Sequence, residues 1–114
     1  MVDKHVEIGG ELRPVNFGRN ALVEFEELTG FSLMDGTSSL TSFKAMRALV
    51  YVGLKWGLYK SDGKEPKPRF TILEVGDWLG DDYMGPDSAT AKVMKIFIDS
   101  MPKAKNVEAA ANAA

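Results

Sequence analysis

The period of apolar positions along this chain changes several times, and each change marks a predicted element. Residues 3–8, Asp-Lys-His-Val-Glu-Ile, alternate loosely and end at Gly9-Gly10; Leu12, Val15 and Phe17 then mark a second short run. Two such runs joined by Gly-Gly predict a β-hairpin, since glycine supplies the positive φ that tight hairpin turns need. Pro14 cannot donate to a ladder, which places the second strand at an edge or gives it a bulge. From Arg19 to Thr29 the spacing becomes helical, with Leu22, Phe25 and Leu28 on one face, Val23 alongside, and Glu24, Glu26 and Glu27 turned outward. Gly30 suits the left-handed residue that ends a helix. Phe31, Leu33 and Met34 suggest a further short turn before Asp35-Gly36, and Thr37-Ser38-Ser39 a loop able to cap the next helix.

The most apolar stretch predicts a long helix from near Leu40 to about Tyr59. Phe43, Met46, Leu49, Val50, Leu54 and Leu58 make a broad face, while Tyr51, Val52 and Trp56 add apolar surface on other sides. A helix apolar nearly all round is buried on several sides, so this one is expected at the centre of the fold. Gly53 and Gly57 each cost about 1 kcal/mol relative to alanine inside a helix. Their spacing permits another backbone to approach closely.

Residues 61–70 form a polar loop with two prolines, Pro66 and Pro68, expected to be the flexible internal segment. Thr71 and Glu74 match a capping box, predicting a helix over Ile72–Leu79 with Leu73, Val75, Trp78 and Leu79 as its apolar residues. Pro86 suits the first turn of a last helix carrying Ala89, Val93, Ile96 and Phe97 on one face, stopped by Pro102. The pattern therefore predicts an α+β fold: an N-terminal β-hairpin followed by a mainly helical domain of about four helices around a central hydrophobic helix. Residues 1–102 make a single domain, and the Ala-rich residues 103–114 a flexible C-terminal tail with little to bury.

Composition narrows the function. The 114 residues are 45% hydrophobic and 26% charged, a globular balance, with a net charge of −2. A dedicated nucleic-acid binder carries a basic excess, which is absent here. Ala45 to Leu58 includes Arg47 and Lys55 and is too short to span a bilayer, and the first residues carry no apolar leader. No partner nucleic acid or membrane is therefore expected. The absence of cysteine excludes disulfides and thiolate chemistry and fits a reducing cytoplasm.

Candidate chemistry is sparse. His5, the one histidine, sits in a predicted strand with no oriented partner in view, and reads as a surface residue. Asp77, Asp81 and Asp82 cluster near a helix end without the alternating ligand pattern of a calcium loop, and read as a solvated terminus. Lys60, Lys64, Lys67 and Arg69 make a basic loop, read as solvated or as a dock for an acidic partner. No glycine pattern suits phosphate binding. No catalytic, cofactor or metal site is expected, and the chain reads as non-enzymatic.

The apolar surplus says more. Two tryptophans, six phenylalanines and six methionines either all serve the core or leave some residues for another chain. Met34, Met46, Met84, Met94 and Met101 are candidates for such an adaptable surface. Aromatic residues beside mobile segments give a second set of partner-binding candidates, Trp56, Tyr59, Phe70, Trp78, Tyr83 and Met84, with core packing the simpler role for Trp56 and Trp78.

The order of these signals carries a resemblance. Two strands end in Asn16-Phe17-Gly18. Ala21-Leu-Val-Glu-Phe-Glu-Glu-Leu-Thr-Gly-Phe-Ser-Leu33 comes next, then Leu49-Val-Tyr-Val-Gly-Leu54, then Phe70-Thr-Ile-Leu-Glu-Val-Gly-Asp-Trp-Leu79. Over roughly residues 4 to 100 the chain resembles the tail assembly chaperones of long-tailed bacteriophages. The resemblance implies a protein of the bacterial host cytoplasm that binds the tape measure protein, keeps its hydrophobic helices soluble, helps recruit tail tube subunits, and is absent from the finished virion. It also implies a longer frameshifted form, with which codons for Ala104-Lys105-Asn106 are compatible. Self-association is open on this reading. The alternative is a small intracellular protein-binding adaptor or another phage morphogenesis factor.

Overall fold

The computed structural model describes residues 4–33, 42–62, 64, 67–80, 85 and 87–100, with the side chains of residues 60–62 left aside. Strands β1 (His5–Ile8) and β2 (Glu11–Pro14) precede helices α1 (Arg19–Thr29), α2 (Phe43–Asp62), α3 (Ile72–Leu79) and α4 (Ala89–Asp99). This is the α+β architecture that the patterning predicts, a hairpin followed by four helices.

The hairpin is antiparallel with Ile8 opposite Glu11, leaving Gly9 and Gly10 as its turn at φ 62° and 81°. Two successive positive φ values make a turn whose twist matches that of the strands it joins. Val6 and Ile8 face inward while His5 and Glu7 face out, and Pro14 pairs with His5 in a sheet that has only edges. Beyond the strands, the Val15 N–H donates to the Lys4 carbonyl at 3.0 Å and the Asn16 N–H to the Gly53 carbonyl at 3.0 Å. The second bond ties the hairpin's exit to the central helix.

Helix α2 touches α1, α3, α4 and β2, so this helix is central, as its apolar residues on several sides predict. The two glycines make this approach possible. A Cβ on Gly57 would lie 2.1 Å from the Pro14 carbonyl oxygen, and one on Gly53 would lie 2.5 Å from the Phe17 ring. The Phe17 ring in turn meets Phe97 of α4 edge-on, with centroids 5.3 Å apart. Phe25, Leu49, Leu54, Val93 and Phe97 are among the buried side chains of this core.

Local signals hold where caps decide. Gly30 ends α1 at φ 77°, its N–H donating to the Glu26 carbonyl. Thr71 and Glu74 form both bonds of the capping box at the start of α3. Other expectations are corrected. The buried residues of α1 are Ala21, Phe25 and Thr29; Val23 and Leu28 are exposed and Leu22 is only half-buried. Thr29 is buried at little cost because its hydroxyl donates to the Phe25 carbonyl at 2.8 Å and accepts from the Phe31 N–H at 3.1 Å. Helix α2 begins at Phe43, where the Ser42 hydroxyl accepts from the Ala45 N–H, and runs on to Asp62 rather than stopping near Tyr59. Phe43, expected on the buried face, is exposed. The described start of α4 is capped by Ser88, whose side chain accepts from the Ala91 N–H. Met34, the loop at Thr37–Ser39, Pro86 and the tail 103–114 lie outside the described residues.

Candidate protein-binding groove

The aromatic candidates among the described residues fall into two separate groups. Trp56 and Tyr59, one turn apart on α2, meet edge-on at 5.4 Å. The Trp56 indole N–H donates to one Glu24 oxygen at 2.8 Å, and the Lys55 ammonium donates to the other at 2.9 Å. Glu24, expected to face outward, is thus turned toward α2 and only 19% of its side chain is exposed. One carboxylate satisfies an indole and an ammonium that α2 presents as neighbours, which clamps α1 to α2. Replacing Glu24 by Ala leaves both donors without their acceptor. The expected cost is about 1 to 3 kcal/mol, read by chemical denaturation together with a change in Trp56 fluorescence. An unchanged midpoint would show that the clamp contributes nothing.

The second group lies at the hairpin. The Arg13 guanidinium covers the Trp78 ring at 4.5 Å and the Phe70 ring at 5.3 Å, while its Nε–H donates to the Ile8 carbonyl at 2.9 Å. Phe70 is buried, also meeting Tyr51 edge-on at 5.9 Å. Trp78 is half-buried, and its ring lies so close to Gly9 that a Cβ there would be 2.6 Å away. These contacts give Phe70 and Trp78 a packing role. Tyr83 and Met84 lie outside the described residues, as do Met101, Asp81 and Asp82. Met94 packs half-buried against the core.

A different place offers open apolar surface. The first turns of α2 and the length of α3 enclose a groove of 810 Å³, lined among others by Phe43, Met46, Arg47, Leu73, Gly76 and Leu79. Phe43, Met46 and Arg47 share one face of α2 by their spacing of three and four, as Leu73, Gly76 and Asp77 do on α3. Leu79 is buried, whereas Phe43 and Leu73 stand 68% and 66% exposed on either side. Gly76 lets the Arg47 stem lie against α3: a Cβ there would be 2.9 Å from Arg47 Cδ. The Arg47 Nε is buried and has no hydrogen-bond acceptor. Among the described residues, Lys44 and Asp77 are the other charged members of the lining.

Sequence reasoning reached only Met46 and Asp77 of this lining as candidates, and neither for this reason. The available signal was Leu73. The buried stripe of α3 is Val75 and Leu79, and Leu73 falls off that stripe. An apolar residue outside a helix's buried stripe is a cue for a surface contact.

His5 is exposed on β1, and Lys64, Lys67 and Arg69 are exposed beyond α2. Among the described residues no group of three His, Asp or Glu side chains gathers as metal ligands, and no helix is long and apolar enough to cross a membrane. No protein-family model, curated protein or solved structure matches this chain.

Proposed function

We propose that this protein is a non-enzymatic chaperone of bacteriophage tail assembly, acting in the cytoplasm of the infected host. On this reading it binds the tape measure protein, helps recruit tail tube subunits, and leaves before the virion is complete. The observation that carries the reading is the groove between α2 and α3, flanked by Phe43 and Leu73 at 68% and 66% exposure. A client whose helices expose apolar faces needs such a surface, because an apolar helix face laid into a groove is held without covalent chemistry and can be released again. The order of sequence signals across the hairpin and the helices supports the same assignment.

Leu73→Asp tests it. Leu73 is mostly solvated, so the fold should survive with a stability change within about 0.5 kcal/mol. Burying a leucine contributes about 1.5 to 3 kcal/mol, so client capture should fall by roughly tenfold or more. Tape measure protein retained at the wild-type level by a folded Leu73→Asp variant would remove the groove from the mechanism.

A further inference from the structure

We infer that the α2–α3 groove takes an amphipathic helix of a partner protein that brings a carboxylate to Arg47, between apolar side chains that meet Phe43 and Leu73. The inference deepens the chaperone reading and rests on its premise that the groove binds protein.

The physical basis starts at Arg47. Its Nε is buried without an acceptor, and no ion pair joins its guanidinium to a described residue, Asp77 included. A buried donor without an acceptor marks a guanidinium whose hydrogen-bonding capacity the fold leaves unused, and a carboxylate meeting its terminal nitrogens, where it can accept two parallel hydrogen bonds, suits it best. The stem is fixed against Gly76, so the charged end is held ready rather than free to wander. The local charge agrees. The chain as a whole carries −2, yet among the described residues the groove lining holds Lys44 and Arg47 against Asp77. An acidic group is drawn to this spot although the whole molecule repels it weakly.

The exposed rims decide the size of the occupant. A small ligand sinks most of its own surface into a pocket. Phe43 and Leu73 stand out by about two-thirds on opposite walls, so an occupant that covers them is broader than the groove itself. A helix does this: residues three, four and seven apart form one face, wide enough to meet both rims and the floor together.

The test uses two synthetic amphipathic helices of about 18 residues, roughly five turns. They are identical except for Glu or Lys at the central position, and carry a fluorophore for anisotropy. The intact protein should bind the Glu helix about tenfold more tightly than the Lys helix. Arg47→Glu should reverse that preference, and Arg47→Met, which keeps the stem, should abolish it. The comparison of the two helices on the unaltered protein needs no variant to fold. Equal binding of both helices, or binding of neither, overturns the inference. So does displacement of the Glu helix by decanoate at equimolar concentration, which would make the groove a small-carboxylate site. Tape measure capture by a protein that ignores the Glu helix would overturn the Arg47 pairing and leave the chaperone reading standing. Preference for the Glu helix with no tail protein captured would do the opposite.

Discussion

Gly57→Ala is expected to destabilise the protein by about 3 kcal/mol, although helix propensity alone favours alanine by about 1 kcal/mol. The sign is set by what lies over the glycine. An added Cβ would stand 2.1 Å from the Pro14 carbonyl oxygen and 2.9 Å from the Val15 nitrogen. These are backbone atoms, and they cannot turn aside as a side chain can. Val15 is held by its bond to Lys4, and Asn16 by its bond to Gly53. Relief therefore requires the hairpin exit to lift from α2, which loosens Val15 and Phe17 together. Gly53→Ala meets the Phe17 ring instead of backbone and should cost less. Thermal unfolding followed by circular dichroism should place Gly57→Ala roughly 10 °C below the wild type. A melting temperature at or above wild type would mean that the close contact does not exist.

The second large effect is expected at Phe97. The ring is fully buried and meets Phe17 edge-on at 5.3 Å, joining the last helix to the segment that leaves the hairpin. Truncation to alanine removes the apolar contact and leaves a cavity between elements that cannot close over it. The cost should be about 4 kcal/mol. Its neighbour supplies the control. Ile98 is one residue further on and 56% exposed, so Ile98→Ala should stay within about 0.5 kcal/mol. Both are read from denaturant midpoints. Similar losses at the two positions would show that α4 turns a different face to the core.

The contrast between Phe97 and Ile98 also marks what the sequence could and could not reveal. Features decided within a few residues were legible: the Gly9-Gly10 turn, the Gly30 stop of α1, and the capping box of Thr71 and Glu74. The Gly53 and Gly57 pair was legible as a place of close approach, though not that Pro14 and Val15 would occupy it. Features decided by distant partners were not legible. Glu24 looks like an ordinary outward carboxylate until Lys55 and Trp56 are brought to it by the packing of α1 on α2. Phe43 continues the apolar periodicity of α2, yet at that end of the helix it is left 68% exposed. Leu28 repeats the spacing of Phe25, yet the small Ala21 and the self-satisfied Thr29 take the buried stripe instead. The groove was hidden for the same reason, since its walls come from two helices whose relative placement no local pattern fixes. Phe70 and Trp78 stand beside a loop in the sequence, but Arg13, from the hairpin, draws both into a packed cluster.

The most direct test of the chaperone proposal is an N-terminally tagged pull-down from phage-producing cells, with mass spectrometry of all that is retained. The proposal predicts a tape measure or tail tube protein, together with a longer product sharing this N-terminus. Retention of unrelated proteins or nucleic acid alone, with no tail protein among them, would contradict it.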